Sequence, residues 1–99
     1  MIVRIFRAKI RENQVSAFKR MVQEQSIPWL ESAEGMLGYF PGEPFADNKQ
    51  EFVMITLWRD LESLRAFAGS QWDNPVVTQD EEPLVEEMFA EHYLRFDKK

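Results

Sequence analysis

The feature that most constrains the fold is the order in which strand-like and helix-like segments follow one another along the chain. Residues 2–10 are rich in β-branched side chains and carry charges at intervals, a pattern typical of a strand. From Val15 to Leu30 the apolar residues recur mostly at steps of three and four, which predicts an amphipathic helix. Asn13 is the predicted cap of that helix.

A proline interrupts this first helix. Proline removes an amide donor and crowds the preceding turn, so Pro28 predicts a kink or a restart near Ser26. Gly35 is the predicted end of the element, because glycine readily adopts the backbone conformation that terminates helices.

The second half of the sequence predicts three more strands and further helical segments. The third strand is a nearly continuous apolar run, as expected of a central strand covered on both faces. The predicted segments are a strand at 36–40, a turn-rich connection at 41–48, a strand at 51–58, a helix at 61–68 capped by Asp60 and ended by Gly69, a short helix after Asp80, and a last strand at 88–96.

The predicted order of strand, helix, strand, strand, helix, strand is the ferredoxin-like βαββαβ pattern. We therefore expect one α+β domain over residues 1–99, with a four-stranded antiparallel sheet and both helices on one of its faces. The other face would be bare, and a large bare apolar face predicts a homodimer. The residues expected on the bare face are Phe6, Phe52, Met54, Trp58 and Met88.

Charge and composition narrow the functional classes. Twelve basic against seventeen acidic residues give a net charge of -5, which argues against a nucleic-acid partner. No apolar run approaches the ~20 residues that span a bilayer, so we expect a soluble protein with no membrane partner. Cysteine is absent, which removes disulfides and thiolate chemistry and is compatible with a cytoplasmic location.

His92 is the single histidine and the first candidate for proton transfer, since imidazole titrates near neutrality. A structural histidine is the alternative interpretation. On a strand, its sequence neighbours Glu91 and Tyr93 point to the opposite face, so a catalytic partner must come from another strand. In the usual strand order of a βαββαβ sheet the first strand lies between the third and the fourth, so Arg4 or Phe6, and more distantly Thr56, are the expected neighbours.

Four stretches together resemble the antibiotic biosynthesis monooxygenase-like family of the dimeric α/β-barrel superfamily. The resemblance implies two sheets facing each other across a two-fold axis, with a pocket in each protomer. Some members oxidise polycyclic phenols or quinols with molecular oxygen and without metal or flavin, others degrade haem, and others have isomerase-type or no known activity. The stretches are Pro28 to Tyr39, Ile55 to Asp60, Leu61 to Gly69, and Glu91-His92-Tyr93.

Haem degradation is the least favoured of these activities. The haem-degrading members carry an asparagine on the first strand and a haem-ligating histidine on the second helix. This sequence has no asparagine within residues 2–10 and no histidine within residues 61–68. We accordingly expect no cofactor.

A cofactor-independent oxygenase needs a base, a cation to hold the resulting anion, and an apolar pocket. His92 and Arg4 are the catalytic candidates, although an ordinary salt bridge would also explain Arg4. Core packing is the alternative role of each candidate for the substrate pocket. These pocket candidates are Phe6, Tyr39, Trp58, Phe67 and Trp72.

The acidic residues between Asp80 and Glu91 are expected to face solvent and to favour a helix dipole, and no metal site is predicted from them.

The sequence and the family resemblance together leave two functional hypotheses. The first is a homodimer that binds a hydrophobic or aromatic small molecule and acts as a cofactor-independent monooxygenase on an aromatic or quinol-like substrate. The second is a noncatalytic dimeric ligand-binding or stress-associated protein in which His92 is structural.

Overall fold

The computed structural model of the protein describes residues 1–98. A π-helical turn, Val22–Ser26, joins the first two helical segments, and 3₁₀ turns cover Glu12–Gln14 and Glu82–Leu84. None of the helices between residues 1 and 98 is long and apolar enough to cross a membrane. The main elements are β1 (Ile2–Ile10), α1 (Val15–Met21), α2 (Ile27–Glu31), β2 (Met36–Gly42), β3 (Glu51–Trp58), α3 (Leu61–Ala68) and β4 (Val85–Leu94).

The four strands form one antiparallel sheet in the order β2-β3-β1-β4. This confirms the ferredoxin-like α+β class and places β1 between β3 and β4. Across these strands the register aligns Thr56, Arg4 and His92 in one row. Because directly paired residues point to the same face of a sheet, these three side chains share a face.

The predicted break in the first helix is confirmed as the π turn. The amide of Ile27 donates to the carbonyl of Val22, five residues back, instead of four. Pro28 follows directly and has no amide to donate, which explains why the regular ladder is interrupted there. The turn widens the helix where it faces the sheet.

Three predicted details at element ends are wrong. Asn13 lies inside a 3₁₀ turn, and the next helix has Gln14 at its cap position with no side-chain hydrogen bond. The short helix expected after Asp80 is only the 3₁₀ turn, and β4 starts earlier than expected because Val85 pairs with Ile10 at the end of β1. The Asp60 cap is confirmed, since its Oδ1 accepts from the Ser63 amide at 2.8 Å.

The assignment of the two sheet faces is also wrong. Trp58 is fully buried and Phe52 is 7% exposed, both beneath the helices and not on the bare face. Register puts Phe6, Met54 and Met88 on the same side. The central strands are apolar on both faces, so alternation alone cannot tell which face the helices cover. The open face instead carries Val3, Ile5, Val53, Ile55 and Leu57.

The helix-covered core has two buried clusters. One contains Ile2, Leu30, Trp58 and Leu64. The other contains Ala8, Ile10, Phe18 and Phe52. Between the helices and the sheet, members of both clusters contribute to the walls of one cavity.

Candidate functional site

A cavity of about 270 Å³ lies between the sheet and the α1–α2 segment. Strands β1 and β3 form its floor, while the π turn and the loop before β4 form its sides. Most of its wall is apolar, and aromatic rings make up a large part of that wall, as is typical of a site for small apolar ligands. The rings belong to Phe6, Phe18, Trp29, Phe52 and Phe67.

The few polar side chains on this wall include a buried cation and a buried carboxylate. Arg4 from β1 and Glu81 from the loop before β4 are each 4% exposed. Ser26 from the π turn and Thr56 from β3 add hydroxyl groups. Isolated charges in an apolar surrounding cost free energy unless they are hydrogen-bonded, so the partners of Arg4 and Glu81 decide what each can do.

The Arg4 guanidinium makes three hydrogen bonds. Its Nη1 donates to the carbonyl oxygen of Trp72 at 2.5 Å and lies 2.7 Å from Nε2 of His92. Its Nη2 donates to the carbonyl oxygen of Asn74 at 3.0 Å. A side chain on a central strand therefore fastens the 72–74 loop segment to the sheet, next to Val76 and Val77 on the cavity wall.

The contact with Arg4 fixes the state of His92. A guanidinium only donates, so Nε2 of His92 accepts and the proton of the neutral ring lies on Nδ1. Burial, and after it the positive charge of Arg4, lower the pKa of His92, although Asp73 opposes this. As the pH falls, the unfolded chain binds a proton at His92 before the folded protein does. The stability that this neutral histidine contributes is therefore fully present above the ordinary histidine pKa and decreases as the pH falls below it.

The sequence-predicted pocket residues divide into two groups. Phe6 and Phe67 line the cavity together with Arg4. Trp72, Trp58 and Tyr39 pack in or against the core cluster of Trp58.

Each residue of the second group makes a specific contact. The Trp72 ring stands edge-on to His92 with centroids 5.0 Å apart. Trp58 donates from Nε1 to Oγ1 of Thr56 at 2.9 Å. Tyr39 donates to Oε2 of Glu31 at 2.7 Å, and that hydrogen bond is the main reason why the pKa of Tyr39 is raised. None of these three aromatics is among the described residues that line the cavity.

Several wall residues were not predicted from the sequence. Glu81 was expected to face solvent with the rest of the acidic run, yet it is buried. The spacing Thr78-x-x-Glu81 is that of a capping box, in which side chain and backbone bond reciprocally, and it marks an ordered carboxylate. The π turn at Ser26 was predicted as a kink, but its position over the sheet requires the tertiary structure.

No group of three or more histidine, cysteine, aspartate or glutamate side chains within residues 1–98 is arranged to hold a metal ion. The residues expected of a haem-degrading site do not fit either. Helix α3 contains no histidine, and the Nε2 lone pair of His92 is taken by Arg4. A haem held by His92 would need Arg4 to give up this contact.

Comparisons with known proteins agree on one family. The sequence model of the antibiotic biosynthesis monooxygenase family matches residues 1–97. No functionally curated protein matches the sequence significantly.

Solved structures share the fold at low sequence identity. A protein from Nitrosomonas europaea assigned as an antibiotic biosynthesis monooxygenase has a TM-score of 0.77 and 16% identity, covering 98% of this chain and 100% of that one. A similarly assigned protein from Deinococcus radiodurans has a TM-score of 0.78 and 10% identity, covering 100% and 96%. A MhuD variant with two manganese protoporphyrin IX molecules bound per active site has a TM-score of 0.73 and 14% identity, covering 100% and 98%.

Proposed function

Because the chain belongs to the antibiotic biosynthesis monooxygenase family, we propose that its cavity binds an aromatic or quinol-like small molecule and that the protein acts on it as a cofactor-independent monooxygenase. The observation that carries the proposal is the aromatic-walled cavity of about 270 Å³ with the buried Arg4 on its wall. Such a wall suits a polycyclic ring, and a guanidinium donates charge-assisted hydrogen bonds to an anionic oxygen such as that of a phenolate.

In the proposed reaction the substrate itself supplies the electrons. Molecular oxygen converts an activated ring CH₂ group, the keto form of a polycyclic phenol, to a carbonyl, and the second oxygen atom leaves as water. Arg4 turns from His92 to the substrate oxygen as negative charge develops on it. His92 contacts Arg4 but is not among the described residues that line the cavity, so its Nε2 accepts the substrate proton only after Arg4 has moved out of this contact. Arg4 and His92 are thus the proposed catalytic residues.

Oxygen uptake with anthrone, a ring ketone of this kind, tests the proposed activity. The parent protein should consume oxygen, and the His92→Ala variant should do so at least about a hundredfold more slowly, since a positioned general base typically contributes about 10²–10⁴-fold. Glu62→Ala is the control, because Glu62 is an exposed residue of α3 that lies outside both the cavity wall and the open sheet face. Equal, negligible uptake by parent and His92→Ala would eliminate the oxygenase proposal.

The second candidate is a noncatalytic ligand-binding protein. It is favoured by the hydrogen bond to Arg4, which satisfies Nε2 of His92 and gives this histidine a structural role. In that case anthrone would bind in the cavity without oxygen uptake by either protein.

We also propose that two copies associate through the open sheet face. Besides its partly buried aliphatic residues, this face presents Phe40, Phe89 and Tyr93, which are 57%, 47% and 51% exposed. An apolar surface of this kind on a single chain is typical of an interface between protein subunits. Light scattering at micromolar concentration should give the mass of two chains, and a stable single-chain mass would contradict the proposal.

A further inference from the structure

Glu81 is the buried group that the proposed reaction does not use. It lies in the loop before β4, is 4% exposed and lines the same cavity as Arg4. Within residues 1–98 no salt bridge involves it, although such pairing is the usual way in which a buried carboxylate is compensated. Its environment therefore depends on hydrogen bonds.

The two oxygens of Glu81 have different surroundings. Oε1 accepts from the Thr78 amide at 3.0 Å, and the Glu81 amide donates back to Oγ1 of Thr78 at 3.2 Å. This reciprocal pair explains the position of the side chain. Among the residues that the structure describes, Oε2 accepts only from the Ser26 hydroxyl, at the long distance of 3.3 Å. A carboxylate has about four acceptor sites, so Glu81 keeps the capacity to accept from a ligand.

Both residues of that last pair line the cavity, Ser26 from the π turn and Glu81 from the loop. The cavity thus combines apolar walls with two kinds of polar group, a donor-only cation at Arg4 and an acceptor at Glu81. These groups recognise different ligand oxygens. Arg4 suits an anionic or carbonyl oxygen, whereas a carboxylate suits a hydroxyl that keeps its proton.

The geometry points to Glu81 as a second anchor in the cavity, one that accepts a hydrogen bond from a hydroxyl of the bound aromatic molecule. The inference rests on the proposed function and narrows its substrate class. The ligand is an aromatic ring system with at least one hydroxyl donor besides the oxygen held by Arg4, such as a dihydroxy or hydroxy-keto compound. An aromatic molecule without a hydroxyl donor would displace water from the carboxylate of Glu81 and would offer no hydrogen bond in its place.

Calorimetric titration with two probes tests this inference. The probes are 2,6-dihydroxynaphthalene, which carries donors, and 2-methoxynaphthalene, which carries none. The parent should bind the diol about tenfold more tightly, since hydrogen bonds to charged groups contribute on that scale. Glu81→Gln should remove about that tenfold advantage and leave the affinity for the ether within about twofold, because the amide keeps the shape and the acceptor for Thr78.

The neighbouring Glu82→Gln is the matched control, because Glu82 is exposed and does not line the cavity. It should leave both affinities unchanged. Equal affinity of the parent for the two probes would by itself count against Glu81, so the inference stays falsifiable even if Glu81→Gln does not fold. A parent that binds both probes equally, or a Glu81→Gln variant that keeps the preference, overturns the role of Glu81 and leaves the aromatic site standing. A parent that binds neither probe overturns both.

Discussion

Replacement of Arg4 by Leu should lower the free energy of unfolding by about 2–4 kcal/mol, the scale expected when several hydrogen bonds to one charged group are lost together. The side chain is 4% exposed and bonds to Trp72, Asn74 and His92, so the substitution leaves two carbonyl oxygens and an imidazole nitrogen without their donor. Denaturant unfolding at fixed protein concentration measures the change.

The same Arg4→Leu variant should show two local effects. Amide hydrogen exchange should become faster in the 72–77 loop, because that loop loses its attachment to β1. The pKa of His92 should rise, since the positive neighbour that lowers it is gone. Arg65→Leu, an exposed position on α3, is the control and should cost less than about 0.5 kcal/mol. If Arg4→Leu leaves both the amide hydrogen exchange of residues 72–77 and the pKa of His92 unchanged, Arg4 does not hold the loop and His92 as described.

Trp58→Ala should destabilise the protein most, by about 3–5 kcal/mol, the range measured for truncating buried aromatic residues. Trp58 is fully buried at the end of β3, and its ring centroid lies 5.1 Å from that of Phe67 on the cavity wall. Truncation therefore leaves a hole under the cavity and frees the hydroxyl of Thr56. Small domains have only about 5–15 kcal/mol of total stability, so part of the variant should be unfolded at moderate temperature.

Trp29→Ala is the matched comparison for Trp58→Ala. Trp29 is 40% exposed and stacks on Phe67 with centroids 4.1 Å apart, so its removal exposes less of the core. We expect its cost in unfolding free energy to be well under half that of Trp58→Ala. A larger loss for Trp29→Ala would mean that the core is not organised around Trp58.

The fold could be predicted from the sequence because its signals are local. The β1 and β3 runs, the Asp60 cap and Gly69 at the end of α3 define elements by spacing and backbone preference alone. The two faces of the sheet could not be distinguished. Residues such as Phe52 and Ile55 differ by face but not in apolar character, and only helix packing decides which face is covered.

The candidate site could be predicted only in part. Strand alternation excluded Glu91 as the partner of His92, and the strand order then favoured Arg4, which register places directly opposite. The burial of Glu81 could not be predicted, because this residue belongs to a run of carboxylates that mostly face solvent. Its burial depends on the loop fold that brings it over Ser26, and a single sequence carries no direct signal of such a long-range contact.

Both the proposed reaction and the role of Glu81 require an aromatic small molecule to bind in the cavity between the sheet and α1–α2. Titration of isotopically labelled protein with 2,6-dihydroxynaphthalene, followed by amide chemical shifts, tests this binding most directly. Binding there should produce saturable shifts at Gln23, Ser26, Val76 and Val77 on the cavity wall, with little change at Phe89 and Tyr93 on the open face of β4, a strand whose described residues do not line the cavity. Shifts confined to the open face, or none that saturate, would contradict it.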